Sequence, residues 1–290
     1  MEQTVSKYEQ AFASFAPALT GEALQSAIAK ILDAEFEANN TVEVKKFLHG
    51  TIDLTTLMGA DTETKVAKFT EQVNDYDGLD DSIPNVAAIC VYPNFVSTVR
   101  ETLTAPGVRV ACVSGAFPAS QSFIEVKIAE TGLAIAAGAD EIDIVLNLSK
   151  FLEGDYEEAS SEIEEQKAAC RDAHLKVILE TGALVDPEAI RRASILSLYA
   201  GADFLKTSTG KEYPGASLEA AYIMCTVLKE YQTKYGHKRG IKFSGGIKTA
   251  EDAVKYYTLV KHILGEEWLT PELLRIGASS LVANLHKEIL

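Results

Sequence analysis

From residue 47 onward, short runs of β-branched and other apolar residues alternate with longer stretches in which apolar side chains return every three or four positions. The short runs are 47–55, 86–93, 108–115, 141–147, 175–182, 203–210, 240–246 and 273–280, and their length and composition predict strands. The stretches between them, 62–75, 94–104, 120–137, 155–173, 187–200, 216–234 and 249–264, carry a helical period, and a last short helix is expected from Ser279 onward. Strict strand–helix alternation implies a parallel sheet. Eight such units in one stretch of this length fit a closed (β/α)8 TIM barrel better than an open doubly wound sheet. No GxGxxG follows the first run, which weakens a dinucleotide-binding alternative. The tetrads Ala137-Gly138-Ala139-Asp140 and Ala200-Gly201-Ala202-Asp203 form a weak internal repeat, each with its glycine where a helix should end.

Residues 1–46 read differently. Leu24, Ile28, Ile31 and Leu32 share one face at helical spacing, so this segment is expected to be an N-terminal helical extension to a barrel domain over 47–290. No linker or low-complexity tract interrupts that domain.

Alternation along the strands also predicts which side chains enter the barrel. Ile52 and Leu54 face outward and send Asp53 in; Ile142, Ile144 and Leu146 do the same for Asp143; Leu205 for Lys206; Ile241 and Phe243 for Lys242. Cys90 turns inward between Ile89 and Val91, more simply as a small core residue than as a nucleophile. Two lysines and two aspartates therefore converge on one interior, where unpaired charge is costly. They could form a structural ion network. They could also activate an amine, because a second ammonium and desolvation both favour neutral lysine, whose ordinary pKa is about 10.4. A carboxylate alongside would move protons. Alternation does not say which lysine is the nucleophile.

Glycine-rich loops follow the last two strands, Ser244-Gly245-Gly246 and Gly277-Ala278-Ser279-Ser280, where barrel enzymes commonly bind phosphate against a short helix N-terminus. Gly210 and Lys211, after the sixth strand, could add a cation. Thr209-Gly210-Lys211 is not a nucleotide loop, since Leu205 stands where the leading glycine belongs and Glu212 follows the lysine. Glu180 could add a polar wall, and the acidic stretch 155–165 reads as a solvated face.

The 290 residues carry a net charge of −15, which argues against nucleic acid or an anionic membrane as partner. Four scattered cysteines suggest a reducing compartment, and the N-terminus has no secretion-signal pattern, so a cytoplasmic protein is expected. The five histidines show no metal-ligand spacing; four are expected at surfaces or helix ends, and His49 near the barrel mouth or base.

The segment Asp203-Phe204-Leu205-Lys206-Thr207-Ser208-Thr209-Gly210-Lys211 is similar to the Schiff-base segment of deoxyribose-phosphate aldolases. Lys242-Phe243-Ser244-Gly245-Gly246-Ile247-Lys248-Thr249-Ala250-Glu251-Asp252 resembles that family's second-lysine segment. Ile52–Thr55, Ala88–Pro93, Gly138–Asp143 and Arg275–Ser280 match in the same order, from about residue 47 to about 283. The resemblance implies Lys206 as the Schiff-base former, Lys242 as the lysine that perturbs it, and Asp143 as the proton relay. It further implies reversible cleavage of 2-deoxy-D-ribose 5-phosphate to glyceraldehyde 3-phosphate and acetaldehyde, with no metal or cofactor. Phosphorylated sugar and aldehyde would be the small-molecule partners, and a homo-oligomer is left open. Substrate contacts are expected from Asp53, Thr55, Cys90, Thr207, Thr209, Gly210, Lys211, Gly245, Gly246, Gly277, Ser279 and Ser280. Some relatives use a tyrosine in a C-terminal tail; here the last tyrosine is Tyr257, so that proton step is expected to fall to water near Asp143 or to be slower. Ser244 stands where alanine is commoner in the family, and the loop at 114–120 keeps Phe117-Pro118. Another Schiff-base aldolase, or a barrel that binds sugar phosphates without turnover, are the competing readings.

Overall fold

The computed structural model describes residues 6–290. Eight parallel strands close into one barrel in sequence order: β1 (Ile52–Thr55), β2 (Ala88–Val91), β3 (Arg109–Val113), β4 (Glu141–Val145), β5 (His174–Ile178), β6 (Phe204–Lys206), β7 (Gly240–Ser244) and β8 (Leu274–Ala278), with β8 pairing back onto β1. The helices are α1 (Lys7–Ala13), α2 (Gly21–Asn39), α3 (Val42–His49), α4 (Glu63–Asn74), α5 (Val96–Thr102), α6 (Ile124–Ala136), α7 (Leu148–Leu152), α8 (Tyr156–Cys170), α9 (Thr181–Leu184), α10 (Pro187–Tyr199), α11 (Leu218–Tyr235), α12 (Ala250–Leu264) and α13 (Leu281–Ile289).

Strand alternation divides the core in two. Ile52, Leu54, Ile142, Ile144, Leu205, Ile241 and Phe243 join a continuous apolar layer with the inner faces of the helices. A separate, smaller group lies inside the barrel: Leu57, Ala88, Cys90, Ala111 and Val113, with Tyr92 and Phe117 against it. Capping side chains fix where many of the helices begin. Thr62, Asp155, Asp186 and Ser217 each accept a backbone N–H at a helix start, and Thr249 and Asp252 form a reciprocal capping box on α12.

The structure differs from the sequence pattern at several edges. Residues 47–49 belong to α3, and the first strand starts only at Ile52, because Phe47 and Leu48 continue the apolar period of α3 rather than the alternation of β1. Two short helices were not expected: α7 occupies a segment read as a connection, and α9 starts at Thr181, within the run 175–182 read as strand. The acidic stretch is not uniformly solvated: Glu162 is buried on α8, where it holds the buried ammonium of Lys127 at 2.6 Å and accepts from Asn147 at 2.8 Å.

The N-terminal segment lies on the outer helical ring. Leu24, Ile28 and Ile31 are buried and Leu32 half-buried, as α2 packs on α11 and α12; α3 packs on α12 and α13, and α1 on α10. Arg191 of α10 donates to the Phe12 carbonyl at 3.0 Å. Residues 1–5 of the expected extension lie outside the described residues. Among the described residues no helix is long and apolar enough to cross a membrane.

Candidate active site

Seven charged side chains, not four, meet inside the barrel: Asp53, Glu141, Asp143, Lys176, Lys206, Lys242 and Arg275, all buried. Asp143 is the hub. Its Oδ2 accepts from Lys206 and from Lys242, each at 2.7 Å, and its Oδ1 accepts from Lys176 at 2.9 Å. Lys242 also lies 2.5 Å from Asp53 Oδ2. Beneath this layer, Arg275 donates to Asp53 Oδ1 at 2.7 Å and to Glu141 at 2.8 and 3.1 Å, and Lys176 reaches Glu141 at 2.6 Å. Alternation gives the same inward orientation to Glu141, Lys176 and Arg275 as to the four residues singled out from sequence, so the signal for them lies in the same strand runs.

The enclosed set contains four cations and three anions. With every member ionised it carries one uncompensated positive charge, an expensive state in a low-dielectric interior. Releasing one proton balances it, and geometry selects the lysine that can do so. Lys242 is ion-paired to two carboxylates, Lys176 to three, and Lys206 only to the oxygen it shares with Lys242. Burial therefore drives Lys206 below the ordinary lysine range, helped by the ammonium of Lys242 and opposed by Asp143. Burial acts on Lys242 and Lys176 too, but the carboxylates beside them outweigh it and hold both above that range. For Asp143, burial is overcome by the three surrounding lysines, which keep its carboxyl well below the usual carboxylate range.

Lys206 is also the member that meets the open cleft at the C-terminal mouth of the barrel. This cleft, about 300 Å³, is lined by Lys206, by the β1 loop (Thr55–Met58), by Thr209, Gly210 and Lys211, and by Ser244–Lys248 and Gly277–Ser280. One chemical end is thus an amine. The other is lined by the glycine-rich segments 245–246 and 277–280 and by Lys211 and Lys248. Gly245 and Gly246 hold successive left-handed conformations, φ 84° and 85°, which a side chain would strain. Gly277 leaves room for Lys242: a Cβ there would lie 3.1 Å from Lys242 Cε and 2.9 Å from Ser244 Cβ. Ser280 precedes α13 without a side-chain cap, so the first N–H groups of that helix have no such partner. Lys248, not singled out from sequence as a cation for this end, joins Lys211 on the lining.

Of the expected contacts, Thr55, Thr209, Gly210, Lys211, Gly245, Gly246, Gly277, Ser279 and Ser280 line the cleft. Asp53, Cys90 and Thr207 stand back from it. Asp53 is locked in the ion network, and Cys90 lies in the interior apolar group, where burial pushes its thiol up. The Thr207 hydroxyl donates to the Ser244 carbonyl and accepts the Ser244 N–H, so it ties β6 to β7. Ser244 adds a second tie, donating to the Ser208 carbonyl at 2.5 Å. Lys211 donates to the carbonyl of Leu57, spanning from the β6 loop to the β1 loop. His49 lies outside the cleft. It is buried, bonds the Pro84 carbonyl at 2.7 Å, and stacks on His286. Tyr257 packs on Phe47 and does not line the cleft.

A family model for DeoC/LacD family aldolases matches residues 48–285, nearly the whole barrel. The chain belongs to the DeoC/LacD family of aldolases. Among relatives of this DeoC/LacD aldolase, the deoxyribose-phosphate aldolase of Homo sapiens is 38% identical over 94% of this chain and 88% of its own. That of Mus musculus is 41% identical over 82% of this chain and 78% of its own. The crystal structure described as a unique tetrameric deoxyribose phosphate aldolase from Aeropyrum pernix superposes with a TM-score of 0.65 at 28% identity, covering 91% of this chain and 97% of that one. The DeoC/LacD aldolase described here is accordingly a carbon–carbon lyase on a TIM barrel.

Proposed function

We propose that the protein cleaves 2-deoxy-D-ribose 5-phosphate reversibly to D-glyceraldehyde 3-phosphate and acetaldehyde, through a Schiff base on Lys206. The observation that carries the assignment to Lys206 is its position: it alone among the interior lysines lines the cleft, and it alone is ion-paired to a single carboxylate. The relatives named above as deoxyribose-phosphate aldolases support the substrate.

In the cleavage direction, the neutral Lys206 amine attacks C1 of the open-chain sugar, and the carbinolamine loses water to give an iminium. The iminium restores the positive charge that Lys206 gave up, 2.7 Å from Asp143 Oδ2 in the ground-state geometry. Removal of the C3 hydroxyl proton breaks the C2–C3 bond, its electrons passing into an enamine as glyceraldehyde 3-phosphate departs. Protonation at C2 and addition of water then release acetaldehyde and the free amine. Asp143 is held strongly ionised, so it serves as the anchor for water that carries these protons, with Lys242 on the same oxygen as Lys206 and Lys176 fixing the other side of the carboxylate. The phosphate is held by the Gly245-Gly246 and Gly277–Ser280 backbone, with Lys211 and Lys248 adding charge.

Reduction with borohydride in the presence of acetaldehyde should leave one ethyl group on Lys206. Recovery of an unlabelled Lys206, or of the label on Lys242, would refute the assignment.

Four free, buried cysteines support a reducing, cytoplasmic setting, which cell fractionation can test. A homo-oligomer is supported by α6 and the residue before it, where Phe123, Val126 and Leu133 are 78%, 54% and 72% exposed.

A further inference from the structure

Glu180 follows β5 and sits in the left-handed region, φ 52° and ψ 59°, where a residue with a side chain needs support from its surroundings. The carboxylate supplies that support. It is 2% exposed and does not line the cleft. Its Oε1 accepts the Thr209 N–H at 3.1 Å, and its Oε2 accepts the Thr209 hydroxyl at 2.5 Å. The same hydroxyl oxygen accepts the Lys211 N–H at 3.2 Å. Among the described residues it forms no ion pair with a lysine, arginine or histidine, unlike the carboxylates inside the barrel. Burial raises its proton affinity, and the two bonds from Thr209 oppose that. Next to it, Thr181 N–H donates to the Thr207 carbonyl at 2.9 Å, so the β5 and β6 loops are joined on both sides of the left-handed turn.

Thr209 lines the cleft, yet its N–H and its hydroxyl proton are both committed to Glu180. It therefore has no donor left for a bound anion. Its use is as a strut between Glu180 and the Gly210-Lys211 segment that faces the ligand. The geometry points to Glu180 as a positioning residue that fixes the Thr209–Lys211 loop and so sets how strongly the cleft prefers a phosphorylated over an unphosphorylated sugar. This rests on the reading of the cleft as a sugar-phosphate site. Glu180 makes its hydrogen bonds to the loop and acts on the Lys206 amine only through a smaller electrostatic effect, so its loss should fall first on the phosphate end while the Schiff-base chemistry persists.

The test compares kcat and KM for 2-deoxyribose 5-phosphate and for 2-deoxyribose, alongside borohydride trapping of acetaldehyde. Glu180→Ala removes two hydrogen bonds, one of them short and both to a buried carboxylate. It should raise KM for the phosphorylated sugar about tenfold or more, and change kcat/KM for the unphosphorylated sugar less than about threefold. Trapping at Lys206 should continue. Glu180→Gln retains an acceptor for the Thr209 N–H and can donate to its hydroxyl, so it should recover most of the preference. If the alanine variant does not fold, Glu180→Asp, whose shorter side chain withdraws the carboxylate from Thr209, should give the same selective loss. Equal losses on both sugars, an unchanged KM, or failure of Gln to rescue would overturn the proposal. An absence of trapping in the unsubstituted protein would instead defeat the Schiff-base reading.

Discussion

Replacing Lys242 by methionine removes a charge while keeping an unbranched side chain of similar length. Lys206 and Lys242 both lie 2.7 Å from Asp143 Oδ2, so their nitrogens are separated by no more than twice that distance. Two unit charges about 5 Å apart, at an effective dielectric constant of about 20, repel by about 3 kcal/mol. That corresponds to a change of roughly a hundredfold in the protonation equilibrium of Lys206. Two secondary effects have the same sign: Asp143 Oδ2 is left to Lys206 alone, and Asp53 Oδ2 loses its closest cation. The free amine is the reactive form, and its fraction rises as pH climbs through the Lys206 pKa, which Lys242 helps hold down. Without Lys242 that pKa rises, so the acidic limb of kcat/KM against pH should move to higher pH. Activity near neutrality should fall about a hundredfold and return in part under alkaline conditions. Lys242→Arg, which keeps the cation, should move the limb much less. Steady-state rates across a pH series, with borohydride trapping at each point, measure this. A Lys242→Met profile lowered in amplitude but with its acidic limb unmoved would refute the electrostatic coupling.

Arg275 supports the network from below, with bonds to Asp53 and to both oxygens of Glu141. Arg275→Met leaves buried carboxylate oxygens without partners and should destabilise the fold by about 3–5 kcal/mol in denaturant unfolding; a loss under about 1 kcal/mol would mean the network reorganises freely. If copies of the chain associate through the exposed face of α6, Leu133→Glu should lower the mass seen by light scattering to that of a single chain. An unchanged mass would place the interface elsewhere or leave the protein monomeric throughout.

The order of strands and helices, the closure into one barrel and the inward direction of Asp53, Asp143, Lys206 and Lys242 follow from local periodicity, because a strand's side chains alternate whatever it packs against. The same rule covers Glu141, Lys176 and Arg275, so the whole interior set was legible in principle. Element edges were less so: residues 47–49 joined a helix because packing of the α3 face decided between two compatible patterns.

Alternation states that a side chain enters the barrel. It does not state the height at which that chain arrives or which oxygen it meets. Those depend on how far each strand is staggered against its neighbours, a property of the closed sheet. Only the tertiary structure therefore decided that Lys242 takes two carboxylates and Lys206 one, and this inequality makes Lys206 the amine that can lose its proton. The same holds for Glu180. Its sequence position offered a polar residue at a strand end, and the left-handed turn that aims it at Thr209 arises where the β5 and β6 loops are pressed together.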